Sequence, residues 1–349
     1  MKKILVALAA LVLCSSHDMF LKLDGFFLEP NTPAKIQLFN GTFSKSDNVI
    51  ARSRMADCSL VGNGTRTAVD TTQWSERGDV TILNFTTGEA GTWVAGVSTK
   101  PRDFGMKANA FNDYLKHDGV LDMLKLRKEK NKLDQDVIER YSKHVKTIFQ
   151  VGEERSGDWQ TPLGYPIEFV PLSNPYGLHA GDELSVKLLW QGTPLAGELV
   201  YVDHEAATHG HDHDHDHASG HDHADGAAHA HEHKHAETED EHHHASALQH
   251  RTDDNGTFTF EVTEDGTWQI RTIYLVESDA PEITHESNWA TLTFALDHGQ
   301  KHSHATADHH HGHDHNLDHD HEAGIPAYVY WGVSLLLIGG MFLYFNRKG

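Results

Sequence analysis

Histidine alternates with aspartate at His209, His211, His213, His215 and His217, with Asp212, Asp214 and Asp216 between them. The same stretch, 204–250, holds His204, His221, His223, His229, His231, His233, His235, the triplet His242, His243 and His244, and His250. A second tract, 298–321, repeats the chemistry with His302, His304, His309, His310, His311, His313, His315, His319 and His321. Neutral imidazole is a ligand for zinc, nickel, cobalt and copper, and a neighbouring carboxylate completes a shell or orients a ring. On flexible chain three or four rings converge without a preformed fold, which favours capacity over selectivity. Of 31 histidines, all but His17, His117, His144 and His179 lie within 204–250 and 285–321. A solvated acidic linker of drifted composition would not sustain such alternation twice. The tracts predict binding of divalent transition metal ions, zinc first, with nickel or cobalt next.

His17 is a separate candidate. As a mature N-terminus its amine and imidazole would form a two-nitrogen chelate with Asp18 adjacent; the plain alternative is an ordinary exposed terminal residue. His117, His144 and His179 are isolated and read as surface or packing residues. The chain has no nucleophile elbow, HExxH helix, phosphate-binding loop or dinucleotide fingerprint. Catalytic residues are therefore not expected, and neither is an enzyme.

The net charge of −22 sits largely in the histidine stretches, which suits cations and argues against nucleic acid. Lys2 and Lys3, the apolar run Ile4 to Leu13 and the small residues Ser15 and Ser16 read as a secretory leader over 1–16. Cys14 admits a lipid-modified reading, although Leu13 occupies a position where a small residue is expected. Without the leader Cys58 is the remaining cysteine, so no internal disulfide is expected. Near the other end, 325–345 is an uncharged stretch of about 21 residues, long enough to span a bilayer as a helix. Tyr328, Tyr330, Trp331 and Tyr344 mark its boundaries, and Arg347 and Lys348 follow it, which predicts a short cytoplasmic C-terminus. The expected topology is a single-pass inner-membrane protein with its bulk in the periplasm.

The elements that would carry these groups are mostly strands. Ala34 to Phe39, Val80 to Phe85 and Thr92 to Val97 alternate or run apolar between turn signals at Asn40-Gly41, Asn63-Gly64 and Gly88. Over 106–148, Phe111, Leu115, Leu121 and Leu124, then Val137, Ile138, Tyr141, Val145 and Ile148, recur at helical spacing, which predicts two or three helices. Glu139-Arg140 and Lys143-Lys146 then read as an ion-paired helix face. Leu184, Val186, Leu188 and Trp190 alternate again, as do Phe258, Phe260 and Val262. The strand ending at Val202 and the strand resuming near Thr257 are expected to pair as a hairpin around the histidine loop, read as functional and disordered.

Several segments resemble one family: His17-Asp18, Phe27-Leu28-Glu29-Pro30, Asn40-Gly41-Thr42-Phe43, Glu139-Arg140-Tyr141-Ser142-Lys143, Pro162-Leu163-Gly164-Tyr165-Pro166, Asn174-Pro175-Tyr176, Gly181-Asp182, Gly192-Thr193-Pro194-Leu195-Ala196-Gly197 and Asp254-Asn255-Gly256. In this order they are similar to the periplasmic, NikM-like family DUF4198 over about residues 17–297. The resemblance implies a β-sandwich whose second half is like prealbumin-type carboxypeptidase regulatory domains, and it carries a link to nickel uptake. It supplies no catalytic residues.

The expected fold is all-β dominated. It has two Ig-like or prealbumin-like antiparallel β-sandwich domains at 17–104 and 151–297, with a helical insertion at 105–150. The second domain is interrupted by the loop 204–250 and followed by a juxtamembrane linker at 298–323 and the transmembrane helix at 325–345. Two functions remain open. One is a metal-binding module for acquisition, hand-over or buffering, working with a metal permease or transporter subunit. The other is a partner-docking β scaffold whose tracts are a local metal reservoir for detoxification. A copper-dependent enzyme using His17 is a third, more remote reading.

Overall fold

Strand-forming runs broken by asparagine and glycine turns organise the chain. The computed structural model describes residues 18–206 and 247–296. Among them are eighteen strands. The first nine are β1 (Asp18–Lys22), β2 (Phe27–Leu28), β3 (Pro33–Gly41), β4 (Met55–Gly62), β5 (Thr65–Ala68), β6 (Trp74–Arg77), β7 (Val80–Thr86), β8 (Gly91–Thr99) and β9 (Arg102–Met106). Two helices follow, Ala108–His117 and Leu121–Glu129, and then β10 (Val137–Val151) and β11 (Ile167–Pro171). The rest are β12 (Asp182–Trp190), β13 (Thr193–Pro194), β14 (Leu199–Ala206), β15 (Leu248–Arg251), β16 (Thr257–Val262), β17 (Gly266–Glu277) and β18 (His285–Leu296).

The strands form three sheets. The first has the order β1-β3-β7-β6; the second is ten-stranded, β15-β14-β17-β18-β10-β8-β4-β5, with β2 and β9 also on β10; the third is β11-β12-β13, with β16 also on β12. The first and third sheets cover opposite faces of the second. Val145 and Thr147 of β10 stand opposite Thr291 and Thr293 of β18. Those two threonine hydroxyls donate to the Met19 and Leu21 carbonyls of β1, capping its edge. Lys146, one step out of phase with its neighbours, points the other way and donates to the Phe169 carbonyl of β11. The apolar residues of all three layers form one continuous cluster, from Met19, Ile36 and Leu83 through Val94, Val145 and Ile270 to Phe169, Leu184 and Phe258.

Sequence alternation is realised where one face is wet. Phe258, Phe260 and Val262 of β16 are buried between exposed or half-exposed neighbours. The Asn63-Gly64 signal becomes a two-residue hairpin turn. Both residues have positive φ, 51° and 72°, between the paired Gly62 and Thr65, as a type I′ turn requires.

Three expectations are corrected. The helical reading of 105–150 holds only for the two helices above; Val137–Val151 is a single 15-residue strand. A spacing of four, as in Val137, Tyr141 and Val145, repeats one face of a helix and equally one face of a strand. β-branched residues and burial on both faces then select the sheet. β10 lies at the centre of the large sheet, so strands from 17–104 and 151–297 share one sheet through it. The large sheet is mixed, since β10 runs parallel to both β18 and β2, whereas the first and third sheets are antiparallel as expected. Finally, β14 pairs with β15 around the histidine loop, Val202 opposite Leu248, whereas Thr257–Val262 pairs with β12. The loop thus sits inside a tighter hairpin than expected, and both His204 and His250 belong to its strands.

Among the described residues no helix is long and apolar enough to cross a membrane. The leader at 1–16 and the span expected at 325–345 lie outside them.

Candidate functional site

Of the candidate metal ligands, Asp18, His204 and His250 are described. His17, the candidates from His209 to His244 and those from His302 to His321 lie outside the described residues. Among the described residues no three His, Cys, Asp or Glu side chains gather as a metal group. His204 Nε2 lies 2.6 Å from Glu264 Oε1, and its ring stacks on Trp268 with centroids 4.8 Å apart. His250 lies against Phe258 and Phe260, at 5.8 and 6.1 Å. Burial pulls its pKa down, and its Nε2 has no hydrogen-bond partner among the described residues. Both histidines pack against the body at the root of the loop.

His144 is a packing residue, as its isolation predicts. Its ring is held between Ser98 Oγ, 2.9 Å from Nδ1, and Ser142 Oγ, 3.1 Å from Nε2, and burial lowers its pKa to about 4.

The register of the large sheet places the ends of the described segments together. Ala206 stands opposite Gly266, and Gly266 opposite Leu296. The last residues of β14 and β18 are therefore two strand spacings apart, about 10 Å. β15 starts beside Val202 at the same end. Both ends of the first tract and the beginning of the second thus attach to one end of one sheet.

A buried ionic seam was not anticipated from the sequence. It lies where β1 and the helices meet over β10, β17 and β18. Lys143 donates to Asn40 Oδ1 at 3.2 Å, and its ammonium lies 4.8 Å from the Trp289 ring centre. Burial draws that ammonium down to about 8, while Asp18, Asp118 and Glu139 oppose the shift. Glu139 accepts from Ser287 and from the Tyr114 hydroxyl, and burial raises its pKa. Arg271 Nε lies 3.6 Å from Asp18 Oδ2, and Nη1 donates to the Asp118 carbonyl. Asp18, expected as a metal ligand beside His17, is thus committed to an internal ion pair. The signal that could have revealed the seam was present: charged residues inside a β-branched run. Helical spacing assigned them to a solvent face instead. Arg140 does reach solvent, paired with Asp103 at 2.7 Å, whereas Glu139, Lys143 and Lys146 are buried.

Beside the seam, a cleft of about 60 Å³ is lined in part by Asp118, Gly119, Asp122, Glu198, Tyr201 and Tyr274. That is room for a few waters rather than an organic substrate. Burial pushes the Glu198 carboxyl up to about 7.

Two of the family-like motifs make contacts that hold the fold. Glu168 accepts from the Leu163 and Gly164 amides, both at 2.8 Å, and the Tyr165 hydroxyl donates to Asp57 at 2.7 Å. Asn174 caps Tyr176 N, whose hydroxyl donates to the Ile148 carbonyl.

Three β layers with a two-helix cap define a layered, strand-rich protein with one mixed sheet between two antiparallel ones. The chain belongs to the DUF4198 family, a domain of unknown function, whose profile matches residues 14–275. No curated protein matches it. Similar solved structures include Salmonella alpha-2-macroglobulin reacted with methylamine, at 10% identity and TM-score 0.19, covering 79% of this chain and 15% of that one. The D0–D1 domain of intimin is 10% identical with TM-score 0.18, covering 79% of this chain and 97% of that one. A DUF4785 protein of Legionella pneumophila is 12% identical with TM-score 0.21, covering 52% and 37%. The chain spans about 15% of the length of the alpha-2-macroglobulin.

Proposed function

We propose that this protein binds divalent transition metal ions through its two histidine tracts, zinc first and nickel or cobalt next. In this reading it is a binding protein rather than an enzyme. It stands at the outer face of the inner membrane, anchored by 325–345, and serves acquisition, hand-over or buffering with a metal permease as partner. The body is a sandwich whose second half is like prealbumin-type regulatory domains. The supporting observation is the alignment of Ala206, Gly266 and Leu296 across the large sheet. It brings the roots of two ligand-rich tracts within about 10 Å of each other. Ligand-rich tracts that leave the body from neighbouring points of one sheet suit weak, exchangeable capture.

The test is calorimetric zinc titration of the full chain and of a chain with the histidines of 209–244 and 302–321 replaced by serine. Several ions per chain are expected for the first and loss of most of them for the second; equal stoichiometry rejects the reading. Cells carrying the replaced chain should grow poorly only when metal is scarce, with the rescuing ion identifying the cargo. Normal growth under scarcity with death under excess would mean sequestration instead.

A further inference from the structure

His285 opens β18 and sits under the helical pair. It is 4% exposed, stands opposite Glu277 on β17 and Glu139 on β10, and lies 5.0 Å from the Phe111 ring of the first helix. Its Nδ1 is 2.9 Å from Thr284 Oγ1, while its buried Nε2 has no hydrogen-bond partner among the described residues. From the second helix the buried Arg127 guanidinium lies over the same Phe111 ring, at 4.9 Å. Lys132, beyond that helix, also opposes a charge at His285. Glu277, which favours a charge at His285, is already paired with Lys130 and Lys132. Glu139 is taken up by Ser287 and Tyr114. A second ring proton would therefore enter an apolar pocket that already holds a cation and offers no acceptor.

The helices rest on a separate apolar cluster: Phe111, Tyr114, Leu115, Val120 and Met123 against Val137, Ile273, Leu275 and Trp289. A satellite core of this kind opens as a unit without unfolding the sheets beneath. We propose that the two helices form an acid-released cap on the large sheet, with protonation of His285 as the event that lifts it. Lifting would bare Trp289 and the Glu139–Lys143 end of the seam. The inference is independent of metal binding by the tracts.

Burial and the neighbouring Arg127 hold the ring near 4 in the closed state, whereas a freed imidazole titrates near 6.5. The cap's opening constant should therefore rise on the order of 30-fold between pH 7.5 and 5. Peptide-resolved hydrogen exchange of the full chain at these two pH values, corrected for intrinsic rates, measures it. Residues 107–136 should lose protection by that factor, while the centres of β8 and β10 keep theirs. In His285→Gln the acid-induced change should fall below about 3-fold, whatever the variant's baseline; His144, retained in both proteins, controls for other titrations. An unchanged acid response in the variant, no response in the wild type, or equal loss across all strands overturns the proposal.

Discussion

Lys146 Nζ lies 2.9 Å from Glu168 Oε2, with the two side chains 1% and 2% exposed. The pair joins the middle and third sheets, and Glu168 also holds the Leu163 and Gly164 amides. Removing one partner leaves an uncompensated buried charge, so Lys146→Met alone should cost about 3–5 kcal/mol. Lys146→Met combined with Glu168→Gln should cost less than the two single changes summed. Urea denaturation of the four proteins measures the coupling; strict additivity would show that the pair does not act as one.

Replacing 207–246 by a short glycine-rich turn should leave the fold intact, because β14 and β15 pair up to Val202 and Leu248 without it. Loop-closure entropy varies only logarithmically with length, so stability should change by no more than about 1–2 kcal/mol. A deletion protein that no longer melts cooperatively would contradict the hairpin.

Stability should fall as the pH drops from about 6.5 towards 4. His144 and His285 titrate near 4 in the folded chain and near 6.5 when unfolded. Between those values the unfolded chain binds more protons, so the contribution is full above about 6.5 and is lost on acidification. Each site supplies on the order of 3 kcal/mol across that window. Glu198 acts oppositely: its carboxyl is held up to about 7, so its contribution is present below about 4.5 and lost as the pH rises through 7. Urea midpoints at pH 4.5, 5.5 and 6.5 should climb, and His144→Gln should flatten the climb. An unaltered slope in that variant would remove His144 from the account.

Metal loading should vanish on acidification, because only the neutral imidazole offers a lone pair and protons compete for every site near pH 6.5. Calorimetry at pH 7.5 should show several zinc ions per chain, and at pH 5 very few. Constant stoichiometry would assign the ions to carboxylates.

The predicted strands of the N-terminal 100 residues and of 182–190 are present: alternation records the one-sided burial of β12, whereas β8, buried along its whole length, shows as a β-branched and apolar run between turn residues. The two-positive-φ turn at Asn63-Gly64 was legible for a local reason: few residues tolerate that backbone. The histidine tracts stand out in the sequence by composition and spacing alone, because a run of residues of one type needs no fold to be seen.

Composition and local pattern thus determined the strand-rich class and the Asn63-Gly64 turn. Tertiary structure decided the rest. β10 is a strand because four neighbouring strands, β2, β8, β9 and β18, satisfy its backbone, which a spacing compatible with two periodicities cannot foresee. Asp18 and the Asp118 carbonyl meet Arg271 across as many as 253 positions of chain, from 18 to 271, and such pairings leave no local trace. The last residues of β14 and β18 lie two strand spacings apart, on either side of β17, across 90 positions of chain, from 206 to 296, a pairing that no local pattern records.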